Sequence, residues 1–301
     1  MADLPPVRET LPVTAADAIR SVSARFREAG LETPDLDARL LVLAAAGLSR
    51  EDYVLDPQRP LPVEAVAVIE GFATRRLARE PVSRILGARE FWGRRFAVTP
   101  ATLDPRPDTE TLIEAALAIV DEEGGRARPL RLLDLGTGTG CILLTLLAEL
   151  PQATGVGVDI SRQALDVARA NAESLRLSGR AEFRCGDWTA PVSGSFDLIL
   201  SNPPYIPSGD IAALDLDVRD YDPRPALDGG EDGFTAYRRI AHEAMAIAAP
   251  GAWLALEAGA GQMRQLRDLL VKTGWQQDLS SPRVYADLSG QDRVVVVRKH
   301  E

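Results

Sequence analysis

The sequence contains few of the residues that build disulfide scaffolds, metal sites or membrane segments. Only 2 of its 301 residues are cysteines, Cys141 and Cys185, which is too few for a disulfide framework and gives no CxxC spacing. No cluster of His, Cys and acidic residues has metal-ligand spacing. The longest mainly apolar run, residues 142–150, stops at Pro151, well short of the ~20 residues that a bilayer requires. Residues 1–9 lack a signal-sequence core, so we expect buried thiols, no metal, no membrane segment and a cytoplasmic protein.

Positive charge is also scarce relative to negative charge. The chain has 34 Lys and Arg residues against 44 Asp and Glu residues, a formal net charge of −10. A surface of this sign repels phosphate backbones, whereas nucleic-acid binding depends on cations that displace counterions. We therefore expect no stable nucleic-acid binding. We also expect a monomer.

The pattern of apolar residues changes twice along the chain. Residues 14–80 have helical periodicity with start signals at Thr14, Thr33 and Pro62, which predicts a bundle of three short helices. Residues 81–107 carry aromatic and β-branched residues between glycines, which is typical of a β-hairpin. Beyond them, strand and helix patterns alternate to the end of the chain.

The strands of this last part are nearly continuous apolar runs, as buried parallel strands are. They are predicted at residues 131–135, 155–159, 181–185, 196–201 and 253–257, near Trp275, and at residues 293–298. We therefore predict an α/β protein with a small all-helical domain at 1–80, a β-hairpin connector at 81–107 and a doubly wound seven-stranded domain at 108–301.

A glycine-rich turn separates the first strand of the α/β part from its helix. Residues 133–140 read Leu-Asp-Leu-Gly-Thr-Gly-Thr-Gly. Glycines let the backbone approach a ligand, and the following helix presents free N–H groups. The G-x-G-x-G spacing differs from the dinucleotide G-x-G-x-x-G, and no P-loop Lys follows. The turn therefore indicates a nucleotide ligand. The candidate residues of the turn that would bind it are Gly136, Thr137, Gly138, Thr139 and Gly140.

Two acidic positions follow the next two strands. Asp159 ends the second strand, where a carboxylate can accept both hydroxyls of a ribose; the alternative is a cap for the helix at Ser161. Asp187 and Trp188 follow the third strand, where the carboxylate can accept from an adenine amino group and the indole can cover the ring. A Trp packed on the surface is the alternative there. Together with the glycine-rich turn, these residues favour a ligand that contains adenosine.

The segment Asn202-Pro203-Pro204-Tyr205 follows the buried strand at residues 196–201. Consecutive prolines restrict φ and donate no hydrogen bond, so they constrain where the carbonyls of Asn202 and Pro203 point. With the Asn202 side-chain oxygen, this arrangement provides two acceptors beside an aromatic ring, which suits an NH2 group with its two hydrogens. The segment therefore predicts a site for a planar amino or amide group.

In this order of motifs the sequence resembles the class I S-adenosylmethionine-dependent methyltransferases that act on planar nitrogens. Over nearly the whole chain it resembles more closely the bacterial protein-glutamine methyltransferases that modify peptide-chain release factors. The closer resemblance rests on Glu-Phe-Trp at 90–92, Pro-Arg-Pro-Asp-Thr-Glu at 105–110, Asp-Pro-Arg at 222–224, residues 226–233, Tyr-Arg at 237–238 and residues 287–293. Asp104 departs from the family, which usually has an apolar residue there, so a buried Asp104 would need a partner.

The resemblance implies a Rossmann-like methyltransferase sheet and a complete set of roles. The cofactor would be S-adenosylmethionine, converted to S-adenosylhomocysteine, and the substrate would be the glutamine of the Gly-Gly-Gln motif of class I release factors, methylated at N5. Asn202, Pro203 and Tyr205 would be catalytic, and Asn202 would also contact the cofactor. Pro204 and Arg106 would join them in binding the substrate. The helical domain would dock the release factor, because a tripeptide offers too little area for affinity.

The same motifs leave other functions open. A glutamine methyltransferase of a ribosomal protein would share these catalytic residues. An amino-group DNA methyltransferase would use the same acceptors but would need a basic groove. A non-catalytic module that binds a cofactor or partner is disfavoured by the intact Gly136, Asp159 and Asn202.

Overall fold

A computed structural model describes residues 13–276 and 283–300, and the chain divides into two compact units, Met1–Leu86 and Gly87–Glu301. Within the described part of the first unit the helices are α1 (Ala15–Glu28), α2 (Pro34–Ala46), α3 (Arg50–Leu55), α4 (Val63–Leu77) and α5 (Val82–Leu86). The short helices α3 and α5 were not predicted. A six-residue and a five-residue helix carry too little periodicity to be recognised in sequence.

The described part of the first unit is stabilised by a small apolar core and a buried ion pair. The Thr14 side chain accepts from the backbone N–H of Asp17, which caps α1 as its sequence indicated. Phe26, Leu41 and Ile69, from α1, α2 and α4, are buried in one cluster. Arg76 pairs with Asp37 at 2.7 Å, and both side chains are 7% exposed.

The second unit begins with the hairpin and continues as a layered α/β domain, so the hairpin predicted as a connector falls inside this unit. Phe91 and Phe96 of the hairpin are buried in its core. The helices and strands of the second unit are β1 (Ala88–Phe91), β2 (Arg94–Ala97), α6 (Glu110–Glu122), β3 (Arg131–Leu135), α7 (Cys141–Glu149), β4 (Thr154–Asp159), α8 (Arg162–Ser174), β5 (Ala181–Cys185), β6 (Phe196–Ser201), α9 (Leu216–Arg219), α10 (Thr235–Ile247), β7 (Ala248–Glu257), α11 (Met263–Lys272), β8 (Val284–Ala286) and β9 (Asp292–Arg298).

Among these elements, seven strands form one sheet in the order β5-β4-β3-β6-β7-β9-β8, which confirms the predicted doubly wound α/β fold. Strands β3 to β7 pair in parallel, while β9 is antiparallel to β7 and β8. From β3 the chain proceeds outward to β4 and β5, and then returns to β6 on the other side of β3. Ligands bind beyond the carboxyl ends of the strands at such a reversal.

Helices cover both faces of the sheet. Leu132 and Leu198 pack with residues of α6 and α7 on one face, whereas Leu133 and Ile199 pack with residues of α10 and α11 on the other. Successive side chains of a strand point to opposite faces, so a strand covered on both sides is apolar throughout. This explains the unbroken apolar runs in the sequence.

The strand predicted near Trp275 falls at the limit of the described residues, since residues 277–282 lie outside them. Trp275 is buried against α10, where its indole N–H donates to the carbonyl of Ala241 at 2.8 Å. Gln276 forms an antiparallel bridge to Arg298 of β9, and the described edge strand β8 pairs with the same strand. Cys141 is buried as expected, whereas Cys185 is only half-buried. No helix in the described part of the chain is long and apolar enough to cross a bilayer.

Candidate active site

The carboxyl ends of β3, β4 and β6 meet at one edge of the sheet, because β3 pairs with both of the other strands. The larger cavity at this edge, of ≈ 470 Å³, is lined by Gly136 after β3, Asp159 at the end of β4 and Asn202 after β6. A smaller cavity of ≈ 390 Å³ is lined by Asn202, Pro203, Tyr205 and Arg106. Asn202 thus lines both cavities.

The glycine-rich turn faces the larger cavity with only part of its backbone. Gly136, with φ of +76°, and Gly138 line the cavity, and the N–H of Gly136 donates to the carbonyl of Val158 at 2.9 Å. A positive φ is accessible to glycine at little cost, so this turn can leave the strand sharply.

Three of the predicted binding residues of the turn, Thr137, Thr139 and Gly140, do not line the larger cavity, and their part in binding stays a prediction. The Thr137 hydroxyl donates to Asp134 at 2.6 Å, and the Thr139 carbonyl accepts from the side chain of Asn171 at 2.9 Å. A Cβ at Gly140 would lie 3.0 Å from a methyl carbon of Leu144, so Gly140 allows close helix packing. These residues hold the turn in place from inside the domain.

Asp159 connects the turn to the next helix. Its two carboxylate oxygens accept from the backbone N–H groups of Gly138 at 2.9 Å and Ser161 at 2.8 Å. Ser161 itself is the side-chain cap of α8. Burial raises the pKa of Asp159 above its usual value. Each oxygen has two acceptor sites, so the carboxylate can still accept two hydroxyl groups, as a ribose would offer.

Asp187 and Trp188 also line the larger cavity, but they differ in the contacts that they make with other residues. A Cβ added at Gly136 would lie 3.8 Å from the Trp188 ring, so the indole covers the turn. Asp187 is half-exposed and pairs with Arg239 at 2.6 Å. An amino group that used Asp187 would share it with this guanidinium, so the carboxylate is a weaker candidate than the indole.

The amide of Asn202 is oriented by a neighbour that sequence reasoning missed. Its NH2 donates to the Thr109 hydroxyl at 3.1 Å. The Tyr205 carbonyl accepts from the Gln262 side chain at 2.9 Å, which ties the proline-rich segment to the chain before α11. Burial raises the pKa of the Tyr205 phenol to about 12, so this group stays neutral near pH 7. The segment therefore presents neutral hydrogen-bonding groups and an aromatic ring to the smaller cavity.

Arg106 belongs to a small charged network beside the smaller cavity. Its guanidinium pairs with Asp222 at 2.6 Å, and the Asp222 side chain is 1% exposed. Asp104 is buried, and its partner is Arg89, 3.7 Å from one carboxylate oxygen. The family departure at Asp104 is thus accommodated by a charge on β1.

Two buried carboxyl groups are further residues that sequence reasoning missed. Asp134 is the last residue but one of β3, and Glu257 ends β7. Both are at most 1% exposed, and burial raises the pKa of each to about 7. Their signal in sequence was the same as that of Asp159, an acid where an apolar strand reaches the carboxyl edge. Thr109 lay within the motif at 105–110 but carried no signal of its own.

Comparisons with known proteins identify the class. A model of the methyltransferase small domain matches residues 117–214, and a model of the PrmC N-terminal domain matches residues 17–87. The hMettl16 catalytic domain in complex with MAT2A 3'UTR hairpin 6 superposes with a TM-score of 0.53 at 16% identity, over 79% of this chain and 82% of that one. A methyltransferase from Pyrococcus furiosus superposes with a TM-score of 0.50 at 16% identity, over 77% of this chain and 100% of that one. At such identity these structures show the fold, and with the family match they define a methyltransferase.

Curated relatives narrow this class to one family. A release factor glutamine methyltransferase of Rhodospirillum rubrum is 50% identical over 91% of this chain and 82% of its own length. The enzyme of Bradyrhizobium diazoefficiens is 48% identical over 94% of this chain and 94% of its own length. The enzyme of Vibrio cholerae is 37% identical over 95% of this chain and 97% of its own length. The chain belongs to the release factor glutamine methyltransferase family.

Proposed function

We propose that this protein methylates the side-chain nitrogen (N5) of the glutamine in the Gly-Gly-Gln motif of class I peptide-chain release factors. S-adenosylmethionine is the methyl donor and S-adenosylhomocysteine the product. The names of the curated relatives support the release factor as substrate. The observation that carries the chemistry is that Asn202 lines both cavities, so that groups bound in the two cavities would lie next to each other.

The residues of the larger cavity fit the donor. Its volume of ≈ 470 Å³ lies within the ~300–1,000 Å³ of small-molecule sites, and it is closed on one side by the Trp188 indole. Asp159 can accept the ribose hydroxyls, Trp188 can cover the adenine, and Gly136 and Gly138 allow the backbone to approach. When bound, the donor supplies a methyl group on a sulfonium, which is already activated for displacement.

The residues of the smaller cavity orient the acceptor amide. An amide nitrogen is a poor nucleophile because its lone pair is delocalised into the carbonyl. The Asn202 side-chain oxygen and the Pro203 carbonyl would accept its two hydrogens and aim the lone pair toward the larger cavity. Such positioning is worth ~7–11 kcal/mol when the reacting atoms are held near attack distance. The same two oxygens stabilise the positive charge that grows on the nitrogen.

Tyr205 would pack on the amide plane and exclude water. Its raised pKa of about 12 makes it a weak acid, so it stays protonated and takes no proton at neutral pH. The product nitrogen loses its proton to water after transfer, and the mechanism assigns no base. Asn202, Pro203 and Tyr205 are therefore the proposed catalytic residues, and Pro204 and Arg106 the further residues proposed to bind the substrate. Arg106 lines the smaller cavity, whereas Pro204 lines the larger one.

The first unit is the proposed docking surface for the release factor. It exposes large apolar side chains on both sides of the chain segment between α3 and α4: Val54 is 68% exposed, Leu55 85% and Val63 84%. Large exposed apolar side chains are candidates for contact with a protein partner. The protein would act in the cytoplasm, where release factors work, as a monomer without stable nucleic-acid binding.

Incubation with methyl-labelled S-adenosylmethionine tests the proposal. Release factor, ribosomal proteins and DNA are offered in separate reactions, and mass spectrometry locates the label. Label on the Gly-Gly-Gln glutamine is expected. Label on a ribosomal glutamine would favour the sibling enzyme, and label on DNA or on none of the three would refute the assignment.

A further inference from the structure

Three walls of the larger cavity come from separate parts of the second unit. They are the segment 100–103 after the hairpin, the glycine-rich turn at Gly136 and Gly138, and the first turn of α8 at Gln163 and Ala164. A ligand that contacts all three parts requires them at a fixed spacing. A group that ties these parts together would therefore prepare the cavity for binding.

One buried side chain connects these parts. Asn171 lies on α8 and is 2% exposed. Its oxygen accepts from the backbone N–H of Ala97 at 2.8 Å, and its NH2 donates to the carbonyl of Ala97 at 3.1 Å and to that of Thr139 at 2.9 Å. Ala97 ends β2 just before the segment 100–103, and Thr139 follows Gly138 in the turn. Asn171 thus links all three walls without lining the cavity itself.

The backbone groups around Asn171 fix which way round its amide lies. A carbonyl can only accept a hydrogen bond, and a backbone N–H can only donate one. In the reversed orientation the NH2 would face the Ala97 N–H, and the oxygen would face the carbonyls of Ala97 and Thr139. Donor would meet donor and acceptor would meet acceptor, so the amide has one orientation and holds both neighbours in it.

Toward the hairpin, Asn171 takes the place of a third strand. Ala97 is opposite Ala88, and the neighbouring bond of the hairpin runs from the Val98 N–H to the Gly87 carbonyl at 3.1 Å. Because bonded and non-bonded pairs alternate along an antiparallel ladder, the N–H and carbonyl of Ala97 point away from β1. The Asn171 amide offers them the same donor and acceptor as a peptide group. It therefore fixes the chain that leads into the segment 100–103.

We propose that Asn171 is a positioning residue for the methyl donor, which holds the segment 100–103 and the glycine-rich turn at the spacing that the donor requires. The inference rests on the proposed function, in which the donor occupies the larger cavity. Asn171 acts through the backbone of Ala97 and Thr139. Its loss should weaken donor binding and leave the catalytic groups of Asn202 and Tyr205 in place.

The variant Asn171→Leu tests the proposal on the full chain, with S-adenosylhomocysteine as the calorimetric probe. Leucine keeps the branched shape and removes all three hydrogen bonds. We expect the Kd of the probe to rise about 10-fold, as is typical of coupling within one hydrogen-bond network. With release factor as substrate, kcat at saturating donor should stay within about threefold of wild type, since no transition-state contact is lost.

Leu147→Ala separates positioning from stability. Leu147 is fully buried on α7 and lines neither cavity, so its truncation lowers the unfolding temperature without changing the walls. At a temperature where both variants are folded, the probe should bind Leu147→Ala as it binds wild type and bind Asn171→Leu more weakly. The inference is wrong if the two variants bind the probe equally well.

Hydrogen exchange on the wild-type chain decides the question if Asn171→Leu fails to fold. The Ala97 N–H can exchange only when its bond to Asn171 opens. Saturating probe should slow this exchange at least about threefold, because a ligand stabilises the closed state that it binds. The Leu61 N–H of the first unit is the control and should exchange at an unchanged rate.

Unchanged exchange at Ala97 in the presence of bound probe overturns the inference. A wild-type chain that binds no S-adenosylhomocysteine overturns the proposed function and this inference with it. A wild-type chain that binds the probe and methylates release factor, with Asn171→Leu equal to it in Kd, overturns only the inference.

Discussion

The two cavities at the edge of the sheet are built in different ways. The larger cavity is shaped by strand ends and the glycine-rich turn, and Asp159 is anchored there by two backbone N–H groups. The smaller cavity depends on side chains oriented by other side chains, namely Asn202 by Thr109 and Arg106 by Asp222. The difference teaches that holding a ligand can depend on the course of the backbone, whereas aiming a reactive group depends on a series of side-chain contacts.

Removing the Asn202 side chain should have the largest effect. We expect Asn202→Ala to lower kcat by at least about 10²-fold, because the amide loses an acceptor that acts in the transition state. Donor affinity, measured by calorimetry, should stay within about tenfold, since the walls of the larger cavity remain. Equal losses of kcat and donor affinity would contradict the division between the two cavities.

Asp159→Asn should weaken donor binding by about 10- to 100-fold, as expected for the loss of hydrogen bonds to a charged group. The kcat at saturating donor should change less. Asp187→Asn is the matched control: Asp187 is half-exposed and paired with Arg239, so donor affinity should change less than with Asp159→Asn. A larger effect at Asp187 would show that the adenosine is held mainly there.

Two buried acids near the carboxyl edge of the sheet titrate in a way that affects stability. Burial raises the pKa of Asp134 and of Glu257 to about 7 in the folded protein. Between the usual carboxyl pKa and pH 7, the folded chain binds more protons than the unfolded chain, so the free energy of unfolding falls as pH rises through this window.

Asp134→Asn should reduce this pH dependence, by on the order of 2 kcal/mol between pH 5 and pH 8 in urea unfolding, because one titrating group is gone. Asp166→Asn on α8, where the side chain is 73% exposed, is the control and should leave the slope unchanged. An unchanged slope in Asp134→Asn would show that another group causes the dependence.

The smallest effect is expected outside both cavities. The double change Leu55→Ser and Val63→Ser should raise KM for the release factor by about 3- to 10-fold, since apolar contact area is lost. Donor affinity should not change. Val271→Ser on α11, also an exposed apolar residue, is the control and should leave KM unaltered. No change in KM for the double variant would remove these side chains from the docking surface.

Much of the fold was predictable because it depends on local periodicity. The strands β3, β5 and β6 and the helices α1 and α2 follow patterns of apolar residues and start signals that neighbouring residues define. The limits of the edge strand were not predictable near Trp275, because this residue is buried by packing against α10, and an apolar residue looks the same in a strand and against a helix.

The site was predictable to the extent that motifs stand at strand ends. Gly136, Asp159 and Asn202 lie together because parallel strands bring their carboxyl ends to one edge. The hydrogen bonds of Thr137 with Asp134 and of Thr139 with Asn171 were not predictable, because they depend on the backbone angles of the turn and on which residues packing brings beside it.

The sequence by itself determined the class of fold, the order of the motifs and the chemical types available at the sheet edge, because these follow from local pattern and composition. Only the tertiary structure brought Thr109 to Asn202, paired Arg239 with Asp187 and buried Asp134 and Glu257. These contacts join residues far apart in the chain, and burial and the direction of a hydrogen bond depend on every neighbour that packing supplies.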